Sequence, residues 1–230
     1  MLNAERFSIR NRKMSFVDNK GERFARLVTE AGACRRCEAA ACGRRAVLSE
    51  LNGRVGARVM FVAEAPGRQG GDRTRVPLAG DQSGRNFARY LDSTGLRRDE
   101  IFITNAVLCN PRRASGANRP PTASEISNCS EFLRRQIEII DPRVVVTLGR
   151  VALSALRAVS PHQLTLAEDA GRVREWGGRL LVPLYHPSPQ VLASHRREAA
   201  QLKDYAAVAR AVERASNGRV RASLREAQVS

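Results

Sequence analysis

The sequence lacks any long apolar run, which excludes a membrane-spanning helix. Such a helix needs about 20 consecutive apolar residues, and the 230-residue chain contains no segment of this kind. Residues 1–16 also lack the apolar stretch of a secretory signal. These two absences predict a soluble protein of the cytoplasm that has no membrane partner.

Acidic residues are scarce in comparison with basic ones. Asp and Glu number 23 against 39 Lys and Arg, which gives a formal net charge of +16. This excess favours a polyanionic partner such as nucleic acid, although an arginine-rich genome would give the same surplus to a surface without a partner. Hydrophobic residues make up 43% of the chain, enough for the core of one sizeable domain.

Short runs of Val, Ile and Leu alternate with helical patterns along the chain. Continuous apolar runs are typical of parallel strands that are covered on both faces. The pattern predicts an α/β fold, a three-layer αβα sandwich around a mostly parallel four-stranded sheet. This domain is expected at 21–215, between a flexible basic arm at 1–20 and a flexible tail at 216–230. The predicted strands are 58–63, 100–107, 142–148 and 180–185, the predicted helices are 22–33, 84–91, 124–140, 150–159 and 194–215, and 163–177 fits no clear pattern except a short hairpin.

Three predicted strands end in polar segments. Glu64 to Gly67 follows the first strand, Asn105 lies near the end of the second, and His186 follows the fourth. Since ligands of open α/β sheets bind at the carboxyl ends of the strands, we expect these segments to line one cleft. Each segment also has a structural interpretation, because Pro-Gly is usually a turn and a single Asn or His at a strand end usually supports the backbone.

Together these motifs resemble the uracil-DNA glycosylase superfamily, and within it the iron–sulfur branches called families four and five. The similarity extends from about Cys34 to Gln190, and the segment from Gly70 to Gly84 is especially similar to family five. Glu64 to Gly67 resembles the first motif, Thr104 to Cys109 the segment with the uracil-reading asparagine, and His186 to Pro189 the second motif. The resemblance implies a monomeric, monofunctional glycosylase that removes uracil and other modified bases from DNA in base excision repair.

The resemblance also implies roles for individual residues. His186 would stabilise the departing base, and Asn105 would read its edge. The best-known branch has an Asp that orients the attacking water where Ala65 stands, so Glu64 and Asp81 become candidates for this catalytic task. Alternatively, Glu64 supports the backbone and Asp81 caps a helix. The implied base-binding residues are Asn105, Ala65, Pro66, Gly67 and Leu78, and the implied DNA-binding residues are Ser188, Gln190, Val191, Asn118 and Arg119.

Two differences from related branches predict a broader choice of base. Gly67 stands where one branch has a bulky aromatic residue that excludes thymine, and Leu78 replaces a Phe that stacks on uracil in family four. Both changes open the pocket, so we expect activity on xanthine, hypoxanthine or etheno-cytosine as well. Val191 or Leu192 could insert into the duplex as an apolar wedge, or both could pack the last helix.

Four of the five cysteines are candidates for metal ligation. The spacing of Cys34 and Cys37 fits zinc, an iron–sulfur cluster or a redox pair, and Cys109 with Cys129 would complete either metal site. The family resemblance implies a [4Fe–4S] cluster held by these four residues. Cys42 is then spare and is expected in the core. Arginines near these cysteines are expected to face phosphate, and they are Arg35, Arg36, Arg112 and Arg113.

Alternative functions remain open from the sequence. Ala65 would also suit a non-catalytic protein of the same fold that binds DNA or abasic sites. A covalent trap for abasic DNA would need the Lys-Arg-Arg-Ile-His loop of its branch, which is missing here. A nucleotide-binding module would need a G-x-G-x-x-G segment or a P-loop, and the chain has neither. A lyase is disfavoured because Lys203 is the only lysine after Lys20.

Overall fold

The computed structural model describes residues 19–37 and 45–227, with side chains up to residue 217. Residues 1–18 of the predicted arm and Cys42 lie outside the described residues. No helix within the described ranges is long and apolar enough to cross a bilayer. In chain order the elements are α1 (Lys20–Ala33), β1 (Val59–Ala63), α2 (Gly71–Thr74), α3 (Gln82–Asp92), β2 (Ile101–Asn105), α4 (Ala123–Ile140), β3 (Val144–Leu148), α5 (Arg150–Ala155), α6 (Leu166–Asp169), β4 (Arg174–Trp176), β5 (Arg179–Leu184), α7 (Pro189–Ser194) and α8 (Glu198–Ala227), with single 3₁₀ turns at Glu50–Asn52, Arg98–Glu100 and Leu156–Ala158.

The strands form one sheet in the order β2-β1-β3-β5-β4. The first four strands in this order are mutually parallel, and β4 pairs antiparallel with β5. The predicted α/β sandwich is thus confirmed, but the sheet has five strands rather than four. Strand β4 spans only three residues and has no apolar run, so periodicity could not reveal it. Gly177 and Gly178, at φ 53° and 74°, make the turn of the short hairpin.

Helices cover both faces of the sheet, which explains the continuous apolar strands. Every residue of β1, β2 and β3 is buried. On one face Phe24 of α1 packs edge-on against Phe102, with ring centroids 5.5 Å apart. On the other face Phe61 meets Phe87 of α3 at 5.2 Å. Burying a side chain of this size stabilises the fold by about 1.5–3 kcal/mol, so the two apolar layers hold the sheet between the helices.

The C-terminal helical region differs from the prediction of one helix at 194–215. Helix α7 begins earlier, where Pro189 occupies the first turn and the hydroxyl of Ser188 accepts a hydrogen bond from the Val191 amide. Helix α8 begins at Glu198 and continues to Ala227, and it runs through Ser216, Asn217 and Gly218, whose low helix propensity is the reason for expecting a tail there. The helix therefore occupies most of the predicted tail, while the division into arm, domain and tail stays a prediction.

Candidate active site and cysteine cluster

The carboxyl ends of β1, β2 and β5 meet at one edge of the sheet. Ala63 pairs with Asn105, and Leu148 pairs with Leu184, so the segments that follow these strands surround one cavity of about 600 Å³. The cavity brings together all the predicted catalytic, base-binding and DNA-binding residues. Its lining includes Glu64, Ala65, Pro66, Gly67, Leu78, Asp81, Asn105, Asn118, Arg119, His186, Ser188, Gln190 and Val191.

His186 is neutral at physiological pH. Burial lowers the pKa of His186 to about 4, and the nearby Asp81 carboxylate opposes this effect only in part. The residue keeps some exposure to the cavity, but protein surrounds most of the ring, and removal from water disfavours the charged imidazolium. A neutral imidazole has one N–H that can donate a hydrogen bond into the cavity.

Asn105 offers an unused donor at the end of β2. The side chain is 3% exposed, and its Nδ2 has no hydrogen-bond partner among the described residues. A buried donor without a partner costs about 1–3 kcal/mol. Because Asn105 lines the cavity, a ligand with an acceptor at this point would recover that free energy.

One carboxylate oxygen of Asp81 accepts a hydrogen bond, and the other is turned toward the first motif, Glu64 to Gly67. Its Oδ1 accepts a hydrogen bond of 2.9 Å from the Gly84 amide and caps α3, as the structural alternative predicted. Its Oδ2 faces the loop that contains Gly67 and Gly70, since a Cβ on these glycines would lie 3.2 Å and 2.2 Å from it. The cap therefore leaves the second oxygen free to contact a small molecule in the cavity.

The Glu64 carboxyl is partly removed from water. Burial raises the pKa of the Glu64 carboxyl, and Arg150 opposes the shift. The Glu64 carbonyl accepts a hydrogen bond of 3.0 Å from the Val107 amide. Within the described part of the chain no hydrogen bond is formed by its carboxylate, so the interpretation that this side chain supports the backbone gains no support.

Leu78 forms part of the cavity wall with an unusual backbone. Its φ of 52° lies in the left-handed region, which costs about 1–3 kcal/mol for a residue with a side chain. The carbonyl of Leu78 lies so close to Gly84 that a Cβ there would be 2.5 Å away. Close packing against the first turn of α3 therefore fixes the position of Leu78.

The residues predicted to bind DNA divide into supporting and exposed groups. The Arg119 guanidinium pairs with the Glu125 carboxylate at 2.7 and 2.8 Å, so this pair stabilises the loop before α4. Gln190 is exposed and Val191 is half-buried at the edge of the cavity. Leu192 packs against the core instead, which makes Val191 the better candidate for an apolar wedge.

Asn110 is a functional candidate that the sequence did not reveal. It is 1% exposed, and its Nδ2 donates hydrogen bonds to the Pro66 carbonyl and, at 3.0 Å, to Asn118 Oδ1. Asn118 Oδ1 also accepts a hydrogen bond of 3.1 Å from the Arg68 amide. These bonds connect the loop after β2 to the first motif. A single Asn in a polar loop carries no pattern that would indicate this role.

The four predicted cysteine ligands lie in one electrostatic neighbourhood. Burial, followed by the charges of Cys129, Cys34 and Cys37, raises the pKa of Cys109 to about 12. Burial also raises the pKa of Cys129 to about 11. None of the four forms a disulfide. Mutual repulsion of four thiolates is relieved by a bound cationic centre, so this donor set fits a metal group.

The spacing of the thiols bears on the kind of metal group. Among residues 19–37 and 45–227, no three metal-ligating side chains are close enough to hold a single ion. The four thiols nevertheless lie near enough to one another to raise the pKa of Cys109. The kind of metal group therefore stays a prediction.

Arginines near the cysteines differ in their contacts. The Arg36 guanidinium lies over the Phe132 ring, 5.7 Å from its centroid. The Arg112 guanidinium pairs with Asp72, while Arg113 is exposed. Arg113 is therefore the best placed of these three to contact phosphate without breaking an internal interaction.

A parallel α/β sandwich with a polar cavity at the carboxyl edge of its sheet defines a class of ligand-binding and catalytic domains. Residues 51–211 match the family model described as the uracil DNA glycosylase superfamily. The chain belongs to this superfamily.

Curated relatives carry more specific names. The chain is 37% identical over 137 residues to the type-4 uracil-DNA glycosylase of Thermotoga maritima, covering 59% of this chain and 67% of that protein. It is 33% identical over 177 residues to the type-4 uracil-DNA glycosylase of Archaeoglobus fulgidus, covering 75% and 85%. It is also 38% identical over 150 residues to a type-5 uracil-DNA glycosylase of Pyrobaculum aerophilum, covering 60% and 64%. These two types correspond to families four and five, the branches that the sequence motifs resemble.

Proposed function

We propose that the protein is a monofunctional DNA glycosylase that hydrolyses the N-glycosidic bond of uracil in DNA. The observation that carries this proposal is the convergence of neutral His186, the partnerless amide of Asn105 and the turn at Pro66 and Gly67 in one cavity. The family and the printed names of the relatives support the same reaction. Neither the cavity nor the comparisons favour the non-catalytic alternative.

The chemistry of the reaction matches these side chains. When the bond between C1′ and N1 breaks, the sugar gains oxocarbenium character and the base leaves with negative charge. A donor already directed at that charge stabilises the transition state more than the ground state. The N–H of His186 donates to uracil O2, and the amide of Asn105 donates to O4 and accepts from N3–H. Cytosine presents a donor in place of O4 and is therefore rejected.

We assign the positioning of the attacking water to Asp81 rather than to Glu64. The capping bond fixes the Asp81 carboxylate, while its second oxygen faces the first motif. Asp81 also influences the pKa of His186, so it lies on the side of the cavity where the base departs. Glu64 is the alternative: burial raises the pKa of its carboxyl, but no hydrogen bond among the described residues holds this carboxylate in a fixed orientation.

The pocket walls favour a broader range of bases. Gly67 has no side chain, and Leu78 presents a flexible aliphatic chain where an aromatic ring would stack on the base. We therefore assign xanthine and hypoxanthine as further substrates, with the target base extruded from the duplex. Val191 at the cavity edge would occupy the space that the base leaves.

The cysteines are proposed to hold a [4Fe–4S] cluster. Cys34 and Cys37 follow the end of α1, Cys109 lies in the loop after β2, and Cys129 lies in α4. The bound cluster would supply structural cross-linking of these three segments, with no part in bond cleavage. Helix α1 already contacts α4 through the ion pair between Glu30 and Arg135, so the cluster would complete an existing interface.

DNA is the proposed partner, and the protein is proposed to act as a monomer in the cytoplasm. The net charge of +16 favours attraction to phosphate. Arg68, Gln69 and Gln190 surround the cavity mouth and would contact the strand on either side of the extruded base.

Excision assays on labelled oligonucleotides test this function. We expect alkali-dependent cleavage at uracil, xanthine and hypoxanthine, with no nick before alkali because the enzyme is not a lyase. His186→Ala should slow uracil excision about 10²- to 10³-fold, the usual effect of losing one charge-stabilising donor. Asp81→Asn should slow it more than Glu64→Gln does. Wild-type protein that binds uracil-containing DNA but leaves every base in place would instead support the non-catalytic alternative.

A further inference from the structure

We infer that Asn86 of α3, assisted by Gln201 of α8, is a positioning residue that fixes the loop carrying His186. The inference rests on the proposed function, in which His186 acts on the departing base. Asn86 Nδ2 donates a hydrogen bond of 2.9 Å to the Pro187 carbonyl. Gln201 Nε2 donates one of 3.4 Å to the His186 carbonyl. The side chains of Asn86 and Gln201 are 3% and 1% exposed.

The loop needs such partners because of its own sequence. Pro187 and Pro189 have no amide hydrogen, so the loop cannot form the regular ladder that would hold a strand or helix in place. Pro187 is also buried, and a buried carbonyl must find a donor. Two amides from neighbouring helices on one face of the sheet supply the donors, and they act on consecutive carbonyls.

The orientation of the Asn86 amide is fixed by its own neighbour. Asn86 Oδ1 accepts a hydrogen bond of 2.9 Å from Gln82 Nε2, one helical turn earlier on the same face. This bond leaves Nδ2 directed at Pro187. Since Asp81 caps the same helix, α3 holds the proposed water-positioning group and the His186 loop in one rigid frame.

Loss of this contact should disturb the geometry of catalysis more than DNA binding. Several proposed DNA contacts, such as those of Arg68, Gln69 and Arg113, lie outside this loop, whereas the imidazole must meet a single atom of the base. A displacement of about 1 Å in a catalytic group can cost about 10²-fold in rate. Neither asparagine nor glutamine in a helix carries a motif that would reveal this role.

A matched pair of substitutions tests the inference. Asn86→Asp keeps the volume but removes the donor, and Asn86→Leu removes it without adding charge. Asn52→Asp is the control, since Asn52 is also buried and donates to a backbone carbonyl, that of Ile103 at 2.7 Å. Melting temperature, the dissociation constant for uracil-containing DNA and the single-turnover excision rate are measured for each protein.

We expect all three variants to melt at lower temperature than the wild type. Only the two Asn86 variants should lose excision per folded molecule, by about 10- to 100-fold, with DNA binding unchanged within about threefold. The imidazole NMR signals of His186 should shift in these variants, while those of His162, which contacts the Leu153 carbonyl, should not. Equal rates per folded molecule for Asn86→Asp and Asn52→Asp, or unchanged His186 signals, would overturn the inference.

A double substitution tests the shared role of Gln201. If both amides hold one loop, Asn86→Leu combined with Gln201→Met should lose less activity than the product of the single losses. Independent, multiplicative losses would contradict a common loop. The NMR readout also separates this inference from the proposed function: a wild type that excises no base would refute the glycosylase, while the His186 signals would still report on the loop.

Discussion

The lowered pKa of His186 leads to a specific pH dependence. Burial holds the pKa of His186 at about 4, whereas an ordinary imidazole has a pKa of about 6.5. At pH 5 the ordinary group would be about 97% charged, and His186 only about 10% charged. The fraction of neutral His186 should therefore fall by only about a tenth between pH 7.5 and pH 5, instead of about 30-fold, and the excision rate that depends on this form should follow it.

The same shift predicts a loss of stability in acid. Between about pH 6.5 and pH 4 the unfolded chain binds a proton at His186 that the folded protein does not bind. The free energy of unfolding must therefore decrease as the pH falls through this range, by about 2 kcal/mol between pH 7 and pH 5. His186→Gln cannot titrate at this position, so the variant should lack this part of the decrease.

Three measurements check these values. NMR of labelled histidines gives the pKa of His186 directly, since the chain has three histidines and His186→Gln assigns the signal. Single-turnover excision at pH 5 and pH 7.5 tests the rate, and chemical denaturation of wild type and His186→Gln at pH 7 and pH 5 tests stability. A midpoint near pH 6.5, or equal stability losses in the two proteins, would refute the reasoning.

Four further predictions concern other parts of the site. Asn105→Asp should slow uracil excision at least about 10²-fold, because a carboxylate repels O4 and cannot donate; an unchanged rate on uracil duplexes would contradict the assigned role. Gly70→Ala should destabilise the fold by about 1–3 kcal/mol in thermal denaturation, since the added Cβ would meet Asp81 Oδ2 at 2.2 Å, and a neutral effect would count against this packing. Cys109→Ser should lower the iron and sulfide content of purified protein, and normal content would remove this cysteine from the ligand set. Arg113→Ala should weaken DNA binding and reduce its salt slope by about one without changing the choice of base; an unchanged slope would place Arg113 away from phosphate.

Much of the layered architecture could be predicted from the apolar pattern. The strand cores and the helices between them produce the periodicities that the sequence displays, and the sheet order follows the expected α/β class. Strand β4 was missed because it owes its existence to pairing with β5 rather than to its own composition. Helix α7 was missed because Ser188 and Pro189 signal a helix start only once the end of β5 is known.

The part of the candidate site that lies at strand ends could be predicted from the sequence. Glu64, Asn105 and His186 follow or end strands, and parallel pairing brings strand ends together. Asn86, Asn110 and Gln201 escaped notice because their significance depends on a distant carbonyl. Each lies more than 14 positions from its partner in the chain, and a single sequence contains no sign of such contacts.

The sequence by itself determined the alternation of elements, the charge surplus and the identity of the polar groups at the strand ends, because these are local properties of composition and spacing. Only the tertiary structure decided that Asp81 uses one oxygen as a cap and turns the other toward the first motif, and that His186 is neutral. Both outcomes depend on how much protein and how little water surround a side chain, which is settled by residues far apart in the chain once the sheet and its helices have packed.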